Sequence, residues 1–173
     1  MTIRNTTPND IPRVFEIYAK AREFMRQNGN PTQWGSGYPS EERITDDIEN
    51  GIFYVEETDG FLTGCFAFII GEEPTYGSIE GGWLDNQPYG TIHRLASSGQ
   101  ARGVANRCIA FCRSRIANLR ADTHKDNHPM QYILKCNGFR YCGIIHIADG
   151  TPRLAFQLLP STDLTSISLT TND

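Results

Sequence analysis

Gln100, Arg102, Gly103 and Ala105 are the residues of this chain whose types and spacing best suit chemistry, and that chemistry is the holding of a diphosphate. The run Gln100-Ala101-Arg102-Gly103-Val104-Ala105 falls between an apolar stretch ending near Ala96 and a periodic one beginning at Gly103 or Val104. Successive backbone N–H groups at a helix start, helped by about half a positive charge from the helix dipole, seat phosphate oxygens. Gly103 lets the backbone approach the ligand, and Arg102 adds a cation. Gly, Gln and Arg are common, so the pattern gains force only from its setting of a strand before and a helix after.

Positioning such a loop requires a sheet with helices against it, and the rest of the chain predicts one. Thr7-Pro8-Asn9-Asp10 combines a capping residue, a helix-opening proline and an acid three after the cap. Ile11, Val14, Phe15, Tyr18, Ala21 and Met25 then recur at helical spacing until Asn28-Gly29-Asn30-Pro31 ends the run. A short strand at 3–5 precedes this helix, and Ser40-Glu41-Glu42 opens a second, polar one. Runs at 52–56 and 61–70 flank Thr58-Asp59-Gly60, a hairpin signal. After an irregular, Gly-rich stretch from 71 to 90 come a strand at 91–96 and a helix carrying Val104, Ala105, Cys108, Ile109, Cys112 and Ile116 on one face. Leu119, Ala121 and Thr123 alternate as a strand. Met130, Ile133 and Leu134 lie on a helix that Gly138 terminates, and strands at 140–147 and 153–159 meet at Asp149-Gly150. The order predicts a mixed α/β sandwich spanning residues 1–160. Residues 161–173, rich in Ser and Thr, read as a mobile tail.

Composition narrows the function classes. The chain has 173 residues, enough for one core without disulfides or metal, and a net charge of −4 with no Lys/Arg block, which argues against nucleic acid. The longest apolar run, Cys65 to Ile70, is far below the roughly 20 residues that span a bilayer, and the polar start is no signal peptide, so the expectation is a cytoplasmic protein without a membrane partner. Five cysteines without a CxxC pair suit reduced, mostly buried thiols rather than a disulfide framework or a metal site.

With the loop placed between strand and helix, the sequence resembles the GNAT superfamily of N-acetyltransferases, whose signature (Q/R)xxGx(G/A) matches Gln100, Gly103 and Ala105. The resemblance runs from residue 3 to 159 and includes the helix after Thr7, the strand before the loop, Asn127 and Gly138-Phe139. It implies an α/β GNAT fold: a mixed, mostly antiparallel sheet of six to seven strands, about four helices, and a V-shaped split between two central parallel strands. It implies acetyl-CoA as cofactor, with pantetheine pairing to the backbone of Leu95, Ala96 and Ser97. The diphosphate would lie on Gln100, Ala101, Arg102, Gly103, Val104 and Ala105, and Asn127 would contact the pantetheine arm or cap a helix. A homodimer is what the family suggests.

The same resemblance implies acetyl transfer to a primary amine by direct attack. His93, on the strand before the loop, falls where some members place a base; Glu80, Asp85 and His124 are weaker candidates. Trp34 and Tyr38 fall where the family builds an acceptor pocket for a small-molecule amine, and Glu80, beside Gly81-Gly82, would close its other side. One departure concerns the acid: aligned on Gly138-Phe139, the position at which many members carry a tyrosine that protonates the leaving thiolate is Leu134 here. Tyr132, about 200° away around the helix at 3.6 residues per turn, is no replacement. A thiol of pKa roughly 8.5 leaves tolerably as its anion, so transfer survives the loss. A protein amine as acceptor, or an acyl-CoA-binding module without turnover, are the alternative readings.

Overall fold

The computed structural model describes residues 1–160; the tail expected at 161–173 lies outside the described residues. Thr7 and Asp10 open the first helix as their types predict. The Asp10 carboxylate accepts the Thr7 amide and hydroxyl at 2.8 and 2.9 Å while pairing with Arg4 at 2.8 Å, which holds it ionised well down the acid range, at about 2. A single 3₁₀ turn at Pro8–Asp10 leads into α1 (Ile11–Gln27), which buries Val14, Ile17 and Tyr18. Ile17 takes the core place expected of Ile11, which is only half-buried. Ser40 caps α2 (Glu41–Glu49), its hydroxyl accepting the Arg43 amide.

The sheet has eight strands, in the order β1 (Thr2–Asn5), β2 (Phe53–Thr58), β3 (Phe61–Ile70), β5 (Gly90–Ser97), β6 (Leu119–Thr123), β8 (Pro152–Leu158), β7 (Arg140–His146) and β4 (Glu80–Gly81). Strand β4 is the one beyond the expected seven. Two residues carry no alternating pattern, so its pairing with Gly143 and Ile144 leaves no trace in the sequence. Asp59 and Gly60 both take positive φ, 52° and 79°, as the two-residue hairpin between β2 and β3 requires.

Helices α1 and α2 cover one face. The other carries α3 (Val104–Arg113) and α4 (His128–Cys136). Alternation along β3 serves both layers, Cys65 and Ala67 facing α1 while Phe66 and Phe68 face α3, so that the strand is buried on both sides. Helix α3 ends at Arg113, which leaves Ile116 beyond it but still packed on the core. Gly138, at φ 87°, ends α4: the Phe139 amide donates to the Leu134 carbonyl and the Gly138 amide to that of Lys135. Among the described residues no helix is long and apolar enough to cross a membrane.

Candidate functional site

Only β5 and β6 run parallel as neighbours, and their pairing stops after Gly90–Leu119, Thr91–Arg120 and Ile92–Ala121. Beyond that point the strands part, and residues 93–97 have no strand on the β6 side. A bulge on the other side of β5 coincides with the parting. Ala67 pairs with His93 and Cys65 with Ala96, so Phe66 alone opposes Arg94 and Leu95. Arg94 takes φ 55°, rare for a residue with a side chain, and is held there from both ends. Its carbonyl accepts the Tyr18 hydroxyl at 2.9 Å, and its guanidinium lies 2.5 Å from the Asp47 carboxylate with both side chains 4% exposed.

Between α1, the free end of β5, the start of α3 and α4 runs a cleft of about 410 Å³. Of the residues predicted to meet the cofactor, Leu95, Ala96, Ser97, Val104, Ala105 and Asn127 line it, and Phe24, Met25, Met130 and Ile133 make its walls apolar. Gln100, Ala101, Arg102 and Gly103 do not line it; they form the rim at its α3 end. Gln100 instead lines a separate polar cavity of about 300 Å³ between α1 and the β2–β3 hairpin, and Ala101 packs on the core.

The rim is pre-shaped. Ser97 and Ser98 hydroxyls accept the Gly99 and Gln100 amides at 3.2 Å, and Gly103, at φ 74°, starts α3 with no side-chain cap, so that among the described residues the first-turn amides have no capping partner. Arg107, which the sequence did not mark, bolts this end down: it forks onto the buried Glu56 at 2.6 and 3.0 Å and donates to the Arg102 carbonyl at 2.6 Å. Arg102 itself is exposed.

His93 and Asp122 are the first residues past the last parallel pair, and both face the α1 side. Nε2 of His93 lies 3.0 Å from Glu73, and Nδ1 lies 3.9 Å from Asp122 Oδ1, which accepts the Tyr76 hydroxyl at 2.7 Å. The hydrogen bond from His93, with lesser help from the Thr75 amide and hydroxyl, holds the Glu73 carboxyl ionised down to about 2. An ionised carboxylate only accepts, so Nε2 carries a proton towards Glu73, and Nδ1 is the ring nitrogen left on the Asp122 side. Because Glu73's folded value lies below its unfolded one of about 4.3, its stabilisation is complete above that pH and disappears as pH falls towards 2. Glu73→Gln is therefore expected to lower the melting temperature at pH 6, with the gap from wild type closing between pH 4.5 and 2; a gap of constant size would show that Glu73 acts through its shape alone.

The other predicted acceptor and base residues divide. Trp34 is core rather than pocket wall, edge-on to Tyr18 with ring centres 5.4 Å apart. Tyr38 is exposed, and its hydroxyl accepts from Arg94 at 3.4 Å. Glu80 is not brought to the site: it sits on edge strand β4, separated from β5 by β6, β8 and β7, with a side chain 69% exposed beside His146. Asp85 is structural, accepting from Asn118 and Gln157 at 2.9 and 2.8 Å. His124 accepts the Asp126 amide on Nδ1, and burial followed by the nearby Arg153 pushes its ring below its ordinary value. Asn127 caps α4 through the Met130 amide and donates to Gln33 at 2.8 Å, which ties the 28–40 loop to α4.

An acetyltransferase of the GNAT family from Streptococcus agalactiae 2603 is 37% identical to this chain, aligns over 92% of it and 95% of its own length, and matches its structure with a TM-score of 0.83. The chain belongs to the GNAT acetyltransferase family. Structures at lower identity share the fold: an acetyltransferase of the GNAT family from Listeria monocytogenes 4b F2365 (19% identity, 90% of this chain and 92% of its own, TM-score 0.66) and yncA from Salmonella typhimurium, solved with its cofactor acetyl-CoA (13%, 94% and 95%, 0.60). No family sequence model and no curated protein matches the sequence. Leu134 is fully buried in the core, and Tyr132 is 71% exposed and outside the cleft. Helix α4 turns only Pro129, Met130 and Ile133, besides its cap, to the cleft, and none is an acid.

Proposed function

We propose that this GNAT protein transfers the acetyl group of acetyl-CoA to a primary amine of a small molecule by direct attack, with His93 as base. The observation that carries the reading is the parting of β5 from β6 after Ile92–Ala121, which leaves His93 just past the last parallel pair and Leu95, Ala96 and Ser97 lining the cleft.

The residues fit acetyl-CoA. An extended arm with amide groups suits the unpartnered backbone edge at Leu95, Ala96 and Ser97, and its apolar parts suit Phe24, Met25 and Met130. The free amides at Gly103, Val104 and Ala105, with Arg102 beside them, suit a diphosphate. When bound, acetyl-CoA supplies the thioester carbonyl carbon. Asp122 receives the incoming ammonium, and His93 Nδ1 takes one of its protons to free the amine lone pair; as the C–N bond forms and the C–S bond breaks, the nitrogen gives its second proton to water, leaving the amide and the CoA thiolate. Glu73 fixes the tautomer and offsets the charge that His93 gains. With no acid on the cleft side of α4, the sulfur departs as thiolate, stable enough for a thiol of pKa about 8.5.

Release of free CoA thiol from acetyl-CoA, measured across a panel of primary amines, tests the reading. Release stimulated at least about tenfold by some amines is expected. Micromolar binding of acetyl-CoA without release for any amine would instead make the chain a non-catalytic binder.

A further inference from the structure

On the acceptor face the other arginines have their partners: Arg94 lies against Asp47, and Arg120 lies between the rings of Trp83 and Tyr89 while donating to the Asp85 carbonyl. Arg153 differs. It is 7% exposed, its hydrogen bonds reach only the carbonyls of Pro152 and Gln33, at 3.2 and 3.5 Å, and among the described residues no carboxylate lies within 4 Å of it. The acid next in reach, Asp149, is exposed and accepts the Thr151 amide. His124 cannot answer the charge, since its Nδ1 is taken by the Asp126 amide.

The register places Arg153 in the site. Strand β8 pairs Ala155 with Asp122 and Leu154 with Thr123, so Arg153 comes level with His124, just beyond the end of β6. Ala155 packs with Tyr76, on the face that carries Asp122 and His93. Residues two apart on a strand share a face about 7 Å apart, so Arg153 lies on that same face, one such step towards the mouth of the split. Two acids, Glu73 and Asp122, thus stand at the apex, and at the mouth stands one guanidinium with no carboxylate within 4 Å among the described residues. A nearly buried guanidinium pairs with a carboxylate when one is offered, bidentately, because its own desolvation otherwise goes unreturned.

Resting on the acetyl-transfer reading, we propose that the acceptor is an amino carboxylate, its amine at Asp122 and His93 and its carboxylate on Arg153. The Gln33 carbonyl, which holds Arg153 from the 28–40 loop, aims the guanidinium at the acceptor, making Gln33 a positioning residue.

Thiol release with matched acceptors tests this: each of a set of α- and ω-amino acids is paired with its methyl ester and with the amine lacking the carboxylate. For the best pair, kcat/KM of the amino acid is expected to exceed that of the plain amine by about 10- to 100-fold, the worth of one charge-assisted pair. In Arg153→Gln the ratio falls to about one, and Arg153→Lys restores part of it, whatever happens to the absolute rates. A wild-type ratio near one, or a ratio kept in Arg153→Gln while both rates fall together, would overturn the proposal and leave Arg153 as a strap for the loop. Were no amine acetylated at all, the failure would belong to the transfer reading. Calorimetric titration of the amino acids into the CoA-loaded protein would still decide: heat in wild type that Arg153→Gln lacks supports the site, and no heat in wild type overturns it.

Discussion

His93→Ala is expected to lower kcat by about 10²- to 10⁴-fold at neutral pH, the range that a positioned base contributes, with little change in the KM for acetyl-CoA. The two effects separate because His93 lies at the apex on the α1 side, whereas the cleft follows the strand onward from Leu95 to Gly99. The deficit narrows as pH rises, since an acceptor arriving as free amine has no proton to surrender before it attacks. Glu73→Gln leaves the imidazole in place but replaces an ionised, acceptor-only group by a neutral amide that can accept from or donate to Nε2, so the tautomer is no longer fixed and a smaller loss, on the order of tenfold, is expected there. The pH–rate profile tells base from scaffold: a base moves the acidic limb when it is removed, and a merely structural histidine scales the whole curve. A His93→Ala enzyme within threefold of wild type at pH 7 would place the base elsewhere on this face.

What the sequence revealed and what it hid follow from the range of the interactions involved. Ser40, Asp59-Gly60 and Gly138 act within a few residues of themselves, so cap, hairpin and helix stop were all legible. The shape of the 97–105 loop was legible for the same reason, being one strand end, one turn and one helix start. The 71–83 segment was not. Its order comes from partners far along the chain, Trp83 donating to the Tyr76 carbonyl, Tyr76 to Asp122 and the Glu73 amide to the Tyr89 hydroxyl, and no local pattern announces such pairings. That hid Glu73, and it let Glu80, seven residues later, stand as a pocket wall when sheet order carries it to the far edge. Trp34 carried no local sign of its packing, since an aromatic in a Gly/Pro-rich loop does not announce a partner such as Tyr18 on the preceding helix. The bulge at Arg94 had no signal either: φ of 55° is what a glycine would have advertised.

Gly103→Glu is expected to weaken acetyl-CoA binding by about 100-fold or more, and the backbone at this position shows how to isolate the cause. At φ 74° any side chain costs about 1–2 kcal/mol, so part of the effect of every substitution is strain. A Cβ would also press on the Arg107 guanidinium 3.1 Å away, which must give by a few tenths of an ångström against its bonds to Arg102 and Glu56, and this too is common to every substitution. Gly103→Ala therefore carries the strain without the charge, and it is expected to melt lower while losing roughly tenfold or less in affinity. The further loss in Gly103→Glu reports a carboxylate set among the amides that would otherwise face the diphosphate, where like charges about 4 Å apart repel by several kcal/mol at an effective dielectric of 20. S-acetylpantetheine, which has the arm and the thioester but no diphosphate, should bind Gly103→Ala and Gly103→Glu alike. Equal weakening of acetyl-CoA in the two variants would mean that the start of α3 matters only for its shape. If S-acetylpantetheine lost as much affinity to Gly103→Glu as acetyl-CoA did, the arm rather than the diphosphate would lie at the α3 rim, and the direction assigned to the ligand along the cleft would have to be reversed.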